Sequence, residues 1–119
     1  MAKSYIRSHQ WVEVKGDVAF VGITDYAATE LGGVTYVEAP EAGKELQAGE
    51  CFGSIESTKA VNELFTPIAG TVVEVNPEIE TRPEIVSDDP EGTGWILKLG
   101  NLGATADLLT QEEYLATLK

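Results

Sequence analysis

The sequence predicts a mainly β protein, a flattened sandwich or barrel of two sheets with one short helix in its N-terminal half and another at its C-terminal end. Three observations predict it. Short segments alternating apolar and polar residues recur along the 119 residues, with Pro and Gly between them. Helix caps mark only two segments. A weak internal echo relates Gly32-x-Val34-x-x-Val37, with Pro40 soon after, to Gly70-x-Val72-x-x-Val75, followed by Pro77; each copy leads across a loop to a strand opened by glycine, Gly49 and Gly94. Two similar half-sheets facing each other would put the connection between them, the hairpin turning at Lys59, at one end of the sandwich.

Taken in order, Trp11 to Phe20 alternates around Gly16-Asp17 and reads as a β-hairpin. Thr24 to Leu31 reads as a helix: Thr24 is the N-cap, Asp25 complements the positive end of the dipole, and Gly32-Gly33 ends it. Strands follow at Val34 to Glu38, Glu50 to Glu56, Val61 to Phe65, Gly70 to Val75 and Trp95 to Leu99. Thr110 and Glu113 form a capping-box signature, so Thr110 to Leu118 is predicted to be a helix packed through Leu115 and Leu118.

A chain of this length buries roughly 65% of its unfolded surface and is expected to be one domain, residues 1–119. Twenty acidic residues against eight basic ones give a net charge of −12, which repels nucleic acid and anionic lipid and suits basic faces on protein partners. The N-terminal segment lacks the apolar core of a signal peptide, and no window approaches a membrane span, so a cytoplasmic protein is expected.

Little in the sequence composes a catalytic apparatus. His9 is the one histidine, which rules out a two-histidine metal site, and it is expected to be a strand residue bonded to backbone. Cys51 cannot form an internal disulfide and is expected on one strand face with Gly53 and Ile55, as a small core residue. Asp88-Asp89-Pro90-Glu91-Gly92 lacks EF-hand spacing and is expected to be a solvated loop. The turn Ser57-Thr58-Lys59-Ala60 contains none of the Gly or Asn residues that tight hairpins favour. Folding alone does not ask for a lysine there. An exposed hairpin-tip lysine presents its amine in a fixed frame, where another enzyme can acylate it.

Several pieces together resemble a known family: His9-x-Trp11-Val12, Gly22 through Ala27, Leu31-Gly32-x-Val34, Val37-x-x-Pro40-Glu41-x-Gly43, Glu56-Ser57-x-Lys59-Ala60, Pro67-Ile68-x-Gly70, Val75-Asn76 and Gly94-Trp95. They are similar to the glycine cleavage system H proteins, over nearly the whole chain. The resemblance implies a lipoyl-domain-like fold and a non-catalytic carrier with lipoic acid on Lys59. It implies that Glu56 and Gly70 are read by the attaching enzyme, a lipoyl ligase or lipoyl/octanoyl transferase. The implied partners are glycine decarboxylase (P protein), aminomethyltransferase (T protein) and dihydrolipoyl dehydrogenase (L protein), visited by a monomer.

The loaded arm would carry a primary amine that needs shelter. Ser8, Gln10 and Glu63 are expected to line its cleft, with Glu63 supplying most of the charge because Gln10 stands where the family usually has an acid. Gly33 and Ser87 also depart from the family's common residues. Alternative readings are a lipoate relay to 2-oxoacid dehydrogenases, a lipoyl domain of such a dehydrogenase or a biotinyl carrier, and an unmodified acidic adaptor. The Thr58-Lys59-Ala60 flank and the long C-terminal extension argue against the dehydrogenase and biotinyl modules.

Overall fold

A computed structural model describes residues 3–118. In chain order the elements are β1 Ser4–Tyr5, β2 Gln10–Lys15, β3 Val18–Ile23, α1 Asp25–Leu31, β4 Val34–Glu38, β5 Glu45–Leu46, β6 Cys51–Ser57, β7 Val61–Phe65, β8 Gly70–Val75, α2 Glu78–Thr81, α3 Ile85–Asp88, β9 Leu97–Gly100 and α4 Gln111–Thr117. They build two antiparallel sheets, one of six strands in the order β1-β2-β3-β9-β8-β5 and one of three in the order β4-β6-β7. The two-sheet expectation therefore holds, as an unclosed sandwich. Val21, Val72, Leu97 and Leu99 of the large sheet bury with Ile55 and Leu64 of the small one in a shared apolar core.

The internal echo has a structural counterpart. Each copy is an antiparallel pair, β4 with β6 and β8 with β9. In each the register shifts just past the first valine, between Val34 and Tyr36 and between Val72 and Glu74. The hairpin at Lys59 does not join the sheets, however. Strands β6 and β7 pair within the three-stranded sheet, and the chain crosses to the other sheet through Thr66 to Ala69.

Two side-chain assignments change. Cys51 is exposed, because a bulge between Cys51 and Gly53 breaks the alternation that would have put it on the face of buried Ile55. Phe52 takes the core position instead, at 5% exposure. In α4, Leu115 is 49% exposed, whereas Tyr114 is 2% exposed and Leu118 packs against the same cluster. Tyr114 and Leu118 are one turn apart and share a face; Leu115 lies about 100° around the helix.

Tyr114 joins Tyr5 and Trp11 in a second, smaller cluster beneath α4, where the Tyr5 and Tyr114 rings stack with centroids 5.0 Å apart. The acidic loop is held down beside it. Trp11 Nε1 donates to Pro90 O at 2.9 Å, Thr93 N donates to Asp89 Oδ2 at 2.9 Å, and the Glu91 carboxylate accepts from Tyr5 Oη and from the Asp25 amide at the start of α1. This loop is a structural staple. No group of three His, Cys, Asp or Glu is placed to hold a metal ion among the described residues.

Candidate functional site

The β6–β7 hairpin is in register from Ser54 opposite Glu63 to Glu56 opposite Val61. Ser57 N donates to Ala60 O at 2.9 Å, and Lys59 N donates to Ser57 Oγ at 3.3 Å. No residue from Ser57 to Ala60 has a positive φ, which is why the turn manages without glycine. Lys59 is exposed at its tip. Its stem runs toward the end of α1: a Cβ on Gly32 would lie 3.9 Å from Lys59 Cε. Neither ion pair among the described residues involves Lys59.

Beside the hairpin lies an open cleft of about 460 Å³. Its walls come from the turn before β2, from α1 and from β7. Ser8, Gln10 and Glu63 all line it, so the three residues expected to surround a loaded arm are brought together. Ser8 Oγ donates to Gln10 Oε1, and Gln10 is only 2% exposed. Glu63 is exposed, with Oε2 3.6 Å from Cys51 Sγ. Asn62, not Glu63, shares the face of buried Ile55 and Leu64 by strand alternation.

His9, Tyr26 and Glu30 line the same cleft and were not anticipated there. His9 is no strand residue. It stands in the turn before β2 with φ of 77°, where its amide donates to Ile6 O and its carbonyl accepts from Thr24 N. Its Nδ1 is 2.7 Å from Tyr114 Oη, which in turn is 2.8 Å from Thr24 Oγ1, the N-cap of α1. Burial pushes the His9 imidazole below its ordinary 6.5, against the opposing pull of Glu30, and burial also raises the Tyr114 hydroxyl. At neutral pH the ring is uncharged, and Tyr114 keeps the proton that satisfies His9 or Thr24.

Glu56 and Gly70 lie in different sheets. Glu56 is half-buried on β6, where it pairs with Tyr36 and Val61. Gly70 is buried at the start of β8, where a Cβ would meet Gly100 O at 2.8 Å and Leu99 Cβ at 3.2 Å. Close strand packing requires this glycine; its φ is not positive.

The chain as a whole has close relatives among known proteins. The family model described as Glycine cleavage H-protein matches residues 3–119. The chain belongs to this family. A glycine cleavage system H protein of Rubrobacter xylanophilus is 51% identical over 115 residues, covering 97% of this chain and 90% of the relative. One from Thermotoga maritima is 44% identical over 114 residues, covering 94% and 92%. The crystal structure of a glycine cleavage system H protein from Mycobacterium marinum superposes with a TM-score of 0.92 at 37% identity, covering 98% of this chain and 95% of the other. As a member, the chain is a non-catalytic lipoyl carrier of the glycine cleavage system and works with that system's other components.

Proposed function

We propose that Lys59 is the lipoyl attachment residue and that the chain, acting as one monomeric carrier domain in the cytoplasm, moves the aminomethyl group of glycine from glycine decarboxylase to aminomethyltransferase, then electrons to dihydrolipoyl dehydrogenase. The observation that carries this reading is the exposed Lys59 on an ordered hairpin, its stem leaning to the rim of a cleft that contains Ser8, Gln10 and Glu63.

These residues fit the group. The turn offers a primary amine with no ion-pair partner among the described residues, and the cleft beside it has polar walls and a buried Ile55 and Leu64 at its base. When attached, the lipoyl group supplies the dithiolane that accepts the one-carbon unit and the electrons. The chain's own part is to orient and to shelter. Ser57 fixes the Lys59 backbone, Gln10 and Ser8 offer hydrogen-bonding groups to an amine, and neutral His9 adds no positive charge that would repel it.

Glu56 and Gly70 are proposed to guide the attaching enzyme, a lipoyl ligase or lipoyl/octanoyl transferase: Glu56 through its position on the hairpin, Gly70 by letting β8 approach β9 closely. The −12 net charge supports a monomer through self-repulsion, and it suits partners with basic faces. No helix among the described residues is long and apolar enough to cross a membrane. Intact mass of protein from a cell with the pathway tests the reading. One lipoyl group mapped to Lys59, absent from Lys59→Arg, is expected; attachment at Lys15, Lys44 or Lys98 overturns it.

A further inference from the structure

We propose that Glu30 supplies the counter-charge that holds the protonated amine of the one-carbon cargo in the cleft, a binding role that rests on the carrier reading above. Glu30 stands in the last turn of α1, two residues before Gly32, the end near which the Lys59 stem lies, and it lines the same cleft as Ser8 and Gln10. His9 lines the cleft too, its ring 4.8 Å from that of Tyr26 on the same helix as Glu30, and Glu30 opposes the lowering of the His9 pKa.

The placement of Glu30 is unfavourable for α1 itself. The C-terminal end of a helix carries negative partial charge, which disfavours a carboxylate there. The last turn of α1 contains no basic residue, and neither ion pair among the described residues, Lys3–Glu13 and Lys98–Glu74, involves Glu30. It makes no described hydrogen bond. Glu30 is exposed at the cleft, where an incoming cation would offset the unfavourable charge at this helix end.

The other polar residues of the cleft are worse placed. Gln10 is neutral, and its carbonyl oxygen already accepts from Ser8. Glu63 belongs to the strand face opposite to Ile55 and Leu64, and its carboxylate lies against Cys51 on that side. A neutral His9 leaves the negative field of Glu30 uncancelled. Glu30 and the carbonyl end of α1 therefore act together, both negative, at the place where the stem of the arm enters.

The test uses the full lipoylated chain, its arm reduced and loaded with formaldehyde and ammonium. Loss of cargo is hydrolysis: the oxygen of water takes over the methylene carbon of R–S–CH2–NH3+ as its S–C and C–N bonds break, giving R–SH, formaldehyde and ammonium with no change of oxidation state. Ammonium release without any partner enzyme gives the rate, and amide shifts of Ala27 and Leu31 on loading report arm contact with α1. Glu30→Gln is expected to speed release roughly three- to fivefold, the size of a partly exposed charge pair, and to reduce those amide shifts. Glu30→Asp should keep most of the protection, and adding Gln10→Glu to Glu30→Gln should restore it.

Glu30→Gln removes no hydrogen bond and relieves the helix end, so it folds. Release at the wild-type rate on a lipoylated Lys59, or a larger effect from Glu63→Gln than from Glu30→Gln, overturns the role of Glu30 alone. A Lys59 without a lipoyl group overturns this role and the carrier reading together.

Discussion

The hydroxyl of Tyr114, on the last helix, sits 2.7 Å from Nδ1 of His9, in the turn that forms one wall of the cleft. The same hydroxyl meets Thr24 Oγ1, so one atom ties α4 to both the His9 turn and the cap of α1. The C-terminal helix, 105 residues away in sequence, thereby sets the shape of the cleft. Tyr114→Phe keeps the ring and its stack on Tyr5 but removes this tie. A loss of about 1–2 kcal/mol is expected, because His9 and Thr24 are left short of a buried partner. Thermal denaturation should show it as a fall of about 4–8 °C. Amide shifts should change at Ser8 to Gln10, far from the substitution in sequence; shifts confined to α4 would count against the tie.

His9 also makes stability depend on pH. Burial holds its folded pKa below the ordinary 6.5, with Glu30 opposing, so the unfolded chain binds a proton first as pH falls. The His9 contribution is fully present above pH 6.5 and is lost as pH falls through the lowered folded value. Wild-type protein should weaken as pH falls below 6.5, before most carboxylates titrate. In His9→Asn that early loss should vanish, since Asn tolerates the positive φ at this turn and stays neutral. Parallel denaturant curves of the two proteins across this range would refute the assignment.

Much of the fold was legible from local pattern. Val34–Glu38 and Gly70–Val75 were bounded correctly because alternation and nearby Gly or Pro mark their ends, and Val61–Phe65 because alternation begins after the Lys59 turn and Pro67 follows it. Thr24 and Thr110 announced their helices through side-chain caps that the structure contains. Helices α2 and α3 were missed because four residues cannot display a 3.6-residue period; a signal beside α2 was Asn76, whose side-chain oxygen accepts from Glu78 N and whose amide donates to Thr93 O and Trp95 O. Faces fared worse than spans. The bulge at Cys51 and Gly53 reverses inward and outward, and choosing Tyr114 over adjacent Leu115 needs the position of β1, which pairs with β2 over only two residues. Glu30 carried no signal of its own, since an acid on a helix reads as an exposed solubilising charge until α1 is seen as a wall of the cleft.

Exposed Cys51 predicts a thiol that behaves unlike a core residue. Cys51→Ser should change stability by less than about 0.5 kcal/mol, as surface substitutions do. A thiol reagent should label the native protein without denaturant, at a rate approaching that of the unfolded chain. A buried cysteine would have resisted the reagent and cost more on substitution.

Glu56 and Gly70 should separate when each is replaced by alanine, although both are proposed to serve the same attaching enzyme. Glu56 is half-buried, and its carboxylate makes no described hydrogen bond or ion pair, so Glu56→Ala should alter stability by less than about 0.5 kcal/mol. Any large fall in its lipoylation rate must then arise from lost recognition. At Gly70 the added methyl meets Gly100 O and Leu99 Cβ, both fixed in β9, which cannot give way as the end of a flexible side chain would. Gly70→Ala should therefore cost about 1–3 kcal/mol by overpacking. Its effect on lipoylation has to be read at a temperature where the variant is fully folded. A slow Glu56→Ala with native stability, beside a Gly70→Ala whose loading recovers on cooling, would assign direct contact to Glu56 and a strand-packing role to Gly70. If Glu56→Ala loads at the wild-type rate, Glu56 is a strand-end charge and recognition rests on the rest of the hairpin.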